Sequence, residues 1–114
     1  MARRRVVITG LGIVSPLGNS IDQAWQNIIA GKSGIGRVTR FDASTFPTQI
    51  AGEVKDFDIG TYLSPKEARR MDVFIHYGIA AAFQAIEDAG LDNIEGLDKT
   101  RVGVNIGAGI GGLP

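Results

Sequence analysis

The sequence predicts an α/β domain, and one that these residues begin without completing. Three observations point there. Arg5-Val6-Val7-Ile8-Thr9 is a β-branched run bounded by Gly10, the pattern of a buried strand. Val73 to Ala89 reads as a helix without a continuous polar face, and such a helix has to be covered on several sides. Arg101 to Ile106 alternates Val102, Val104 and Ile106 with Gly103 and Asn105, a second strand, and runs into Gly107-Ala108-Gly109-Ile110-Gly111-Gly112. Two strands and one deeply buried helix cannot make a sheet with both faces covered. The missing elements are expected from further along the chain, or from another chain. The first is the simpler account.

Between these landmarks the elements follow from local chemistry. Gly10, Gly12 and Gly18, with Ser15-Pro16 between them, make a shaped loop. Ser20 starts a helix, and Gln23 stands at capping-box spacing from it. Ile21, Ala24, Trp25, Ile28 and Ile29 then form one apolar stripe, which predicts core packing for Trp25, and Gly31 ends the helix. Residues 32–63 are loop-rich, with Phe41, Phe46, Ile50, Val54 and Phe57 as anchors and room for a short strand within Thr48 to Val54. Ser64-Pro65-Lys66-Glu67 is a second capping box with proline at the first helical position. It predicts a helix from Pro65 through Arg70 and a break near Asp72, itself a cap for Val73 onward. Glu87-Asp88 restore polarity before Gly90 closes the long helix.

Composition bounds the function. The 114 residues are 44% hydrophobic, suited to a globular chain, and 12 basic residues balance 12 acidic ones. Whole-chain charge therefore points neither to nucleic acid nor to a membrane. Cysteine is absent, which removes disulfides, thiolate metal sites and a cysteine nucleophile from these residues. The basic start Met1-Ala2-Arg3-Arg4-Arg5 precedes an apolar run of only Val6 to Ile8, too short for a signal peptide. No stretch approaches the roughly 18 apolar residues of a membrane helix. A soluble, cytoplasmic protein is the expectation.

The glycine loops invite a nucleotide reading. Gly107-x-Gly109-x-x-Gly112 matches the dinucleotide fingerprint after a strand, and Gly10-x-Gly12-x-x-Ser15 nearly does. A working fingerprint opens a helix and is followed by an acidic residue about 20 positions on; here Gly31 and Lys32 lie at that distance from the first loop. Tight turns or close backbone approach explain these glycines better, and neither loop ends in the Gly-Lys-Ser/Thr of a P-loop. Lys66, Arg69 and Arg70 fall at i, i+3 and i+4, one face of a helix. They form either an ordinary solvated face or a docking site for a small acidic partner, and composition does not choose. His76, the single histidine, reads as a hydrogen-bonded core residue rather than a base. No paired carboxylates or metal-ligand cluster stand out.

With these residues in hand, the sequence resembles a family. Arg5-Val6-Val7-Ile8-Thr9-Gly10-Leu11-Gly12-Ile13-Val14-Ser15-Pro16-Leu17-Gly18-Asn19 is similar to the opening of elongating β-ketoacyl-[acyl-carrier-protein] synthases. Lys32-Ser33-Gly34-Ile35, Arg70-Met71-Asp72-Val73-Phe74-Ile75-His76-Tyr77-Gly78 and Ile106-Gly107-Ala108-Gly109-Ile110-Gly111-Gly112 agree in order and spacing. The likeness spans essentially the whole chain and is strongest to the bacterial type II synthases; type I synthases and polyketide ketosynthase domains match the middle less well.

The resemblance implies a thiolase-like fold, in which two similar halves pack as five αβαβα layers and assemble as a homodimer. Residues 1–114 would be the incomplete N-terminal segment of the N-terminal domain. It implies a decarboxylating Claisen condensation between acyl and malonyl groups held on acyl carrier protein, with no cofactor. The family's acyl-accepting cysteine and its two histidines have no counterpart here, since His76 matches neither, so no catalytic residue carries over and the segment alone is expected to be inactive. Lys66, Arg69 and Arg70 match the family's basic contacts for the acidic carrier protein. Ile110 matches an isoleucine that lines the acyl pocket and limits chain length, with Gly109 and Gly111 lending its backbone freedom. Two rivals stay open: a small dinucleotide-binding module, and a non-catalytic interaction or chain-length-factor protein.

Overall fold

A computed structural model describes residues 3–113; Met1 and Ala2 of the basic start, and Pro114, lie outside the described residues. Three helices, α1 (Ile21–Ile29), α2 (Pro65–Ala68) and α3 (Val73–Asp88), and two short strands, β1 (Ile35–Arg37) and β2 (Ile50–Gly52), carry the regular structure. The strands pair antiparallel, with Ile35 opposite Gly52 and Arg37 opposite Ile50. Single 3₁₀ turns at Ile59–Thr61, Leu91–Asn93 and Lys99–Arg101 link them.

Helix starts follow the capping chemistry closely. The Ser20 hydroxyl accepts the Gln23 amide at 3.3 Å, while the Gln23 carboxamide reaches one residue further back and accepts from Asn19 N at 2.9 Å. At α2 the box is reciprocal: Ser64 Oγ accepts from Glu67 N at 3.4 Å and Glu67 Oε2 accepts from Ser64 N at 3.1 Å. Asp72 caps α3, and Gly90 leaves it with φ 63°, the left-handed geometry glycine supplies most cheaply.

Three expectations need correction. Neither Arg5–Thr9 nor Arg101–Ile106 forms a strand. A strand exists only where its backbone groups find a neighbouring ladder, and among the described residues none is supplied. Val6 (88% exposed) and Val104 (64%) therefore lie open. The two segments instead flank one groove of about 420 Å³ over Ala81, Ala82, Ala85 and Ala89 of α3. Trp25 is 58% exposed, not core: α1 buries only Ala24, because nothing described covers its Ile28–Ile29 side. Finally, α2 ends at Ala68, so Arg69 and Arg70 sit in the turn beyond it rather than on one helical face with Lys66.

The expected covering of α3 on several sides is also not met among the described residues: only Ala80 is buried, and Phe83 is 51% exposed. Phe57 meets Tyr77 edge-on at 5.1 Å and stacks with Tyr62 at 6.5 Å, and Tyr62 leans on Phe83 at 6.1 Å. These aromatic pairs tie residues 57–62 to the helix. Arg40 donates to the Tyr77 hydroxyl at 2.8 Å, and that contact holds its guanidinium pKa above the ordinary value.

Candidate functional site

Two surfaces meet at the start of α3. One is the turn after α2. Lys66, Arg69 and Arg70 are all exposed, on a backbone fixed in front by the Ser64–Glu67 box and behind by the Asp72 cap. Hydrogen bonds from Ser64 draw the Glu67 carboxyl below its usual range, so it stays ionised beside the helix N-terminus, where negative charge is favoured.

The other surface is the loop Gly107–Gly112. Ile110 is 77% exposed at its crest. Gly111 has φ 74°, and a Cβ there would come within 3.2 Å of the Phe74 ring. Gly112 packs so closely on Asp72 that a Cβ would overlap the carboxylate. Gly107 and Gly109, by contrast, face open space. The loop is thus braced against α3 at one end and free at the other. At its start, Gly107 and Ala108, with Ile106 before them, join Phe74, Ile75 and Gly78 around an apolar groove of about 480 Å³. Of the residues singled out from sequence, Gly111 has room for no Cβ without pressing on Phe74 of α3, Ile110 projects, and Gly109 has open space where a Cβ would be.

The first glycine loop is different. A Cβ on Gly10 or Gly12 would overlap the carbonyl oxygens of Ala85 and Ala81. The face that a fingerprint would offer to pyrophosphate is closed by α3, and the next helix begins only at Ile21. This removes the dinucleotide reading of that loop. What sequence reasoning missed is the clamp that holds it. Gln84 accepts from Ile13 N at 3.1 Å and donates to Asn19 O at 2.8 Å and to the Tyr62 hydroxyl at 3.1 Å. Asp88 accepts from Leu11 N at 2.8 Å, and Asn27 donates to Leu17 O at 2.6 Å. The available signal was Gln84 itself, an amide inside an otherwise apolar run. Among the described residues no group of His, Cys, Asp and Glu side chains could hold a metal ion, and no helix is long and apolar enough to cross a membrane.

Residues 3–113 match the model of the beta-ketoacyl synthase N-terminal domain. The chain belongs to the β-ketoacyl synthase family. It is 57% identical over 114 residues to the 3-oxoacyl-[acyl-carrier-protein] synthase 2 of Coxiella burnetii, a match covering 100% of this chain and 27% of that protein. The enzyme of the same name from Vibrio harveyi is 53% identical over 113 residues, covering 99% of this chain and 27% of its own length. This chain therefore spans about a quarter of the length of these curated relatives. Among solved structures, the ishigamide ketosynthase/chain length factor superposes with a TM-score of 0.72 at 36% identity, covering 90% of this chain and 24% of that one. The fold is thiolase-like, as the motifs implied.

Proposed function

We propose that this chain is the N-terminal segment of a fatty-acid condensing enzyme, one that lengthens an acyl group on acyl carrier protein by decarboxylating Claisen condensation with malonyl-carrier protein. The observation that carries this is the 57% identity to a 3-oxoacyl-[acyl-carrier-protein] synthase 2 along the whole chain. The alternative, a non-catalytic chain-length-factor type, is not better supported: the curated relatives at 57% and 53% identity are both named as the synthase. The segment's share is recognition. Lys66, Arg69 and Arg70 meet the acidic carrier protein, and Ile110, between Gly109 and Gly111, walls the acyl pocket. Bond making falls to groups outside these residues, which hold no cysteine and one histidine. A thiolate there would take the acyl group, and donors aimed at the developing oxyanion would stabilise it. The enzyme works without a cofactor, as a homodimer in the cytoplasm.

The docking half is tested by reversing Lys66, Arg69 and Arg70 to Glu in the full-length enzyme. Carrier-protein affinity should fall about tenfold at low salt and by less at high salt, where screening weakens the wild-type contact. Unchanged affinity would return these cations to an ordinary solvated surface.

A further inference from the structure

We propose that His76 is the positioning residue of the cationic turn, the side chain that locks the corner between α2 and α3 so that Arg69 and Arg70 are held ready for the carrier protein. The inference rests on the docking role just proposed for those cations. It starts from a mechanical problem: α2 has 4 residues. A helix that short does not hold itself together in water, and its last carbonyls have no partners within it.

The front of α2 is fixed by the Ser64–Glu67 box. Its rear is fixed by the Ala68 carbonyl, which accepts from Met71 N at 3.2 Å and lies 2.9 Å from His76 Nε2. A carbonyl only accepts, so Nε2 carries the proton and the ring donates. His76 stands in the first turn of α3, where side chains lean back toward the helix start; that lean carries the ring across the corner onto α2. Ala68 and His76 are both half-buried, so water competes poorly for the bond. Arg69 and Arg70 lie on the stretch between this latch and the Asp72 cap. A latched corner presents their charges without the ordering cost that a loose one incurs on docking. This also gives a task to the chain's single histidine, which the condensation chemistry does not use.

The test compares, in the full-length enzyme, KM for an acyl group on carrier protein with KM for the same acyl group on a short pantetheine thioester. His76→Leu should raise KM for the carrier-bound substrate about fivefold, the worth of one lost hydrogen bond, with kcat and the short thioester's KM unchanged. His76→Gln, whose side-chain amide still donates, should restore the wild-type value. Should the leucine enzyme fail to fold, His76→Asn, polar but too short to reach Ala68, carries the same expectation. An unchanged carrier-protein KM, or an equal rise for both substrates, overturns the proposal. The Lys66→Glu, Arg69→Glu, Arg70→Glu enzyme in the same assay separates the two ideas. If it alone raises the carrier-protein KM, docking stands and the latch falls; if it has no effect, the docking reading falls and the latch with it.

Discussion

The two glycine loops look alike as sequence and differ as structure. Gly10 and Gly12 are small because α3 leaves no room: a Cβ on either would overlap the backbone at Ala85 or Ala81, and Gln84, Asp88 and Asn27 bind the loop's free backbone groups. A Cβ on Gly107 or Gly109 would meet nothing within 4 Å, and the residue between Gly109 and Gly111 is a large apolar side chain left 77% exposed. In the first loop glycine serves close packing. In the second, Gly107 and Gly109 have no such neighbour to accommodate. A glycine pattern alone does not say which, and the neighbouring atoms do.

That contrast can be broken by substitution. The largest effect is expected from Gly12→Ala, which overlaps backbone that cannot step aside. It should destabilise the full-length enzyme by about 3 kcal/mol in urea unfolding, while Gly109→Ala should stay within about 0.5 kcal/mol; equal costs would erase the distinction between the loops. Gln84→Leu removes three hydrogen bonds and leaves Ile13 N and Asn19 O without their partner. A loss of about 2 kcal/mol is expected, together with faster amide exchange at Ile13 and none of that change at residues 107–112. Gly112→Ala should act locally, displacing the braced end of the second loop from Asp72, and would be read as lost protection from proteolysis near Leu113 with little change in global stability.

The smallest effect concerns pH. The Glu67 pKa is lowered by its Ser64 bonds, so the contribution of its ionised form is complete above the ordinary glutamate value of about 4.3 and disappears as pH falls through the depressed folded value. Amide exchange at residues 64–70 should rise on acidification through that window. Ser64→Ala should abolish the pH dependence, and a profile unchanged in the variant would assign it to another group.

Helix starts, and the end of α3, were legible because they depend on neighbours in sequence. Ser20, Ser64, Asp72 and Gly90 act within one turn, and each stands where its chemistry places it. The short strand within Thr48 to Val54 was found as Ile50–Gly52, but its partner Ile35–Arg37 was missed, since Gly36 in three residues gives no alternation to read. Arg5–Thr9 and Arg101–Ile106 have strand composition without strands because a ladder is a property of two segments. Trp25 was misplaced for the same kind of reason: periodicity marks the apolar face, and coverage is decided elsewhere. At the candidate site the residue types were readable, while the turn that takes Arg69 and Arg70 off the helix, and the reach of His76 to Ala68, depend on three-dimensional closure.

The central claim is that the second loop edges an acyl pocket with Ile110 as its wall. Measuring the acyl chain-length profile of the full-length enzyme carrying Ile110→Phe tests it most directly. The predicted result is a shorter longest accepted primer, with short primers still elongated at near wild-type rates. An unaltered profile in a folded, active enzyme would contradict the claim and leave Gly107–Gly112 an ordinary surface turn.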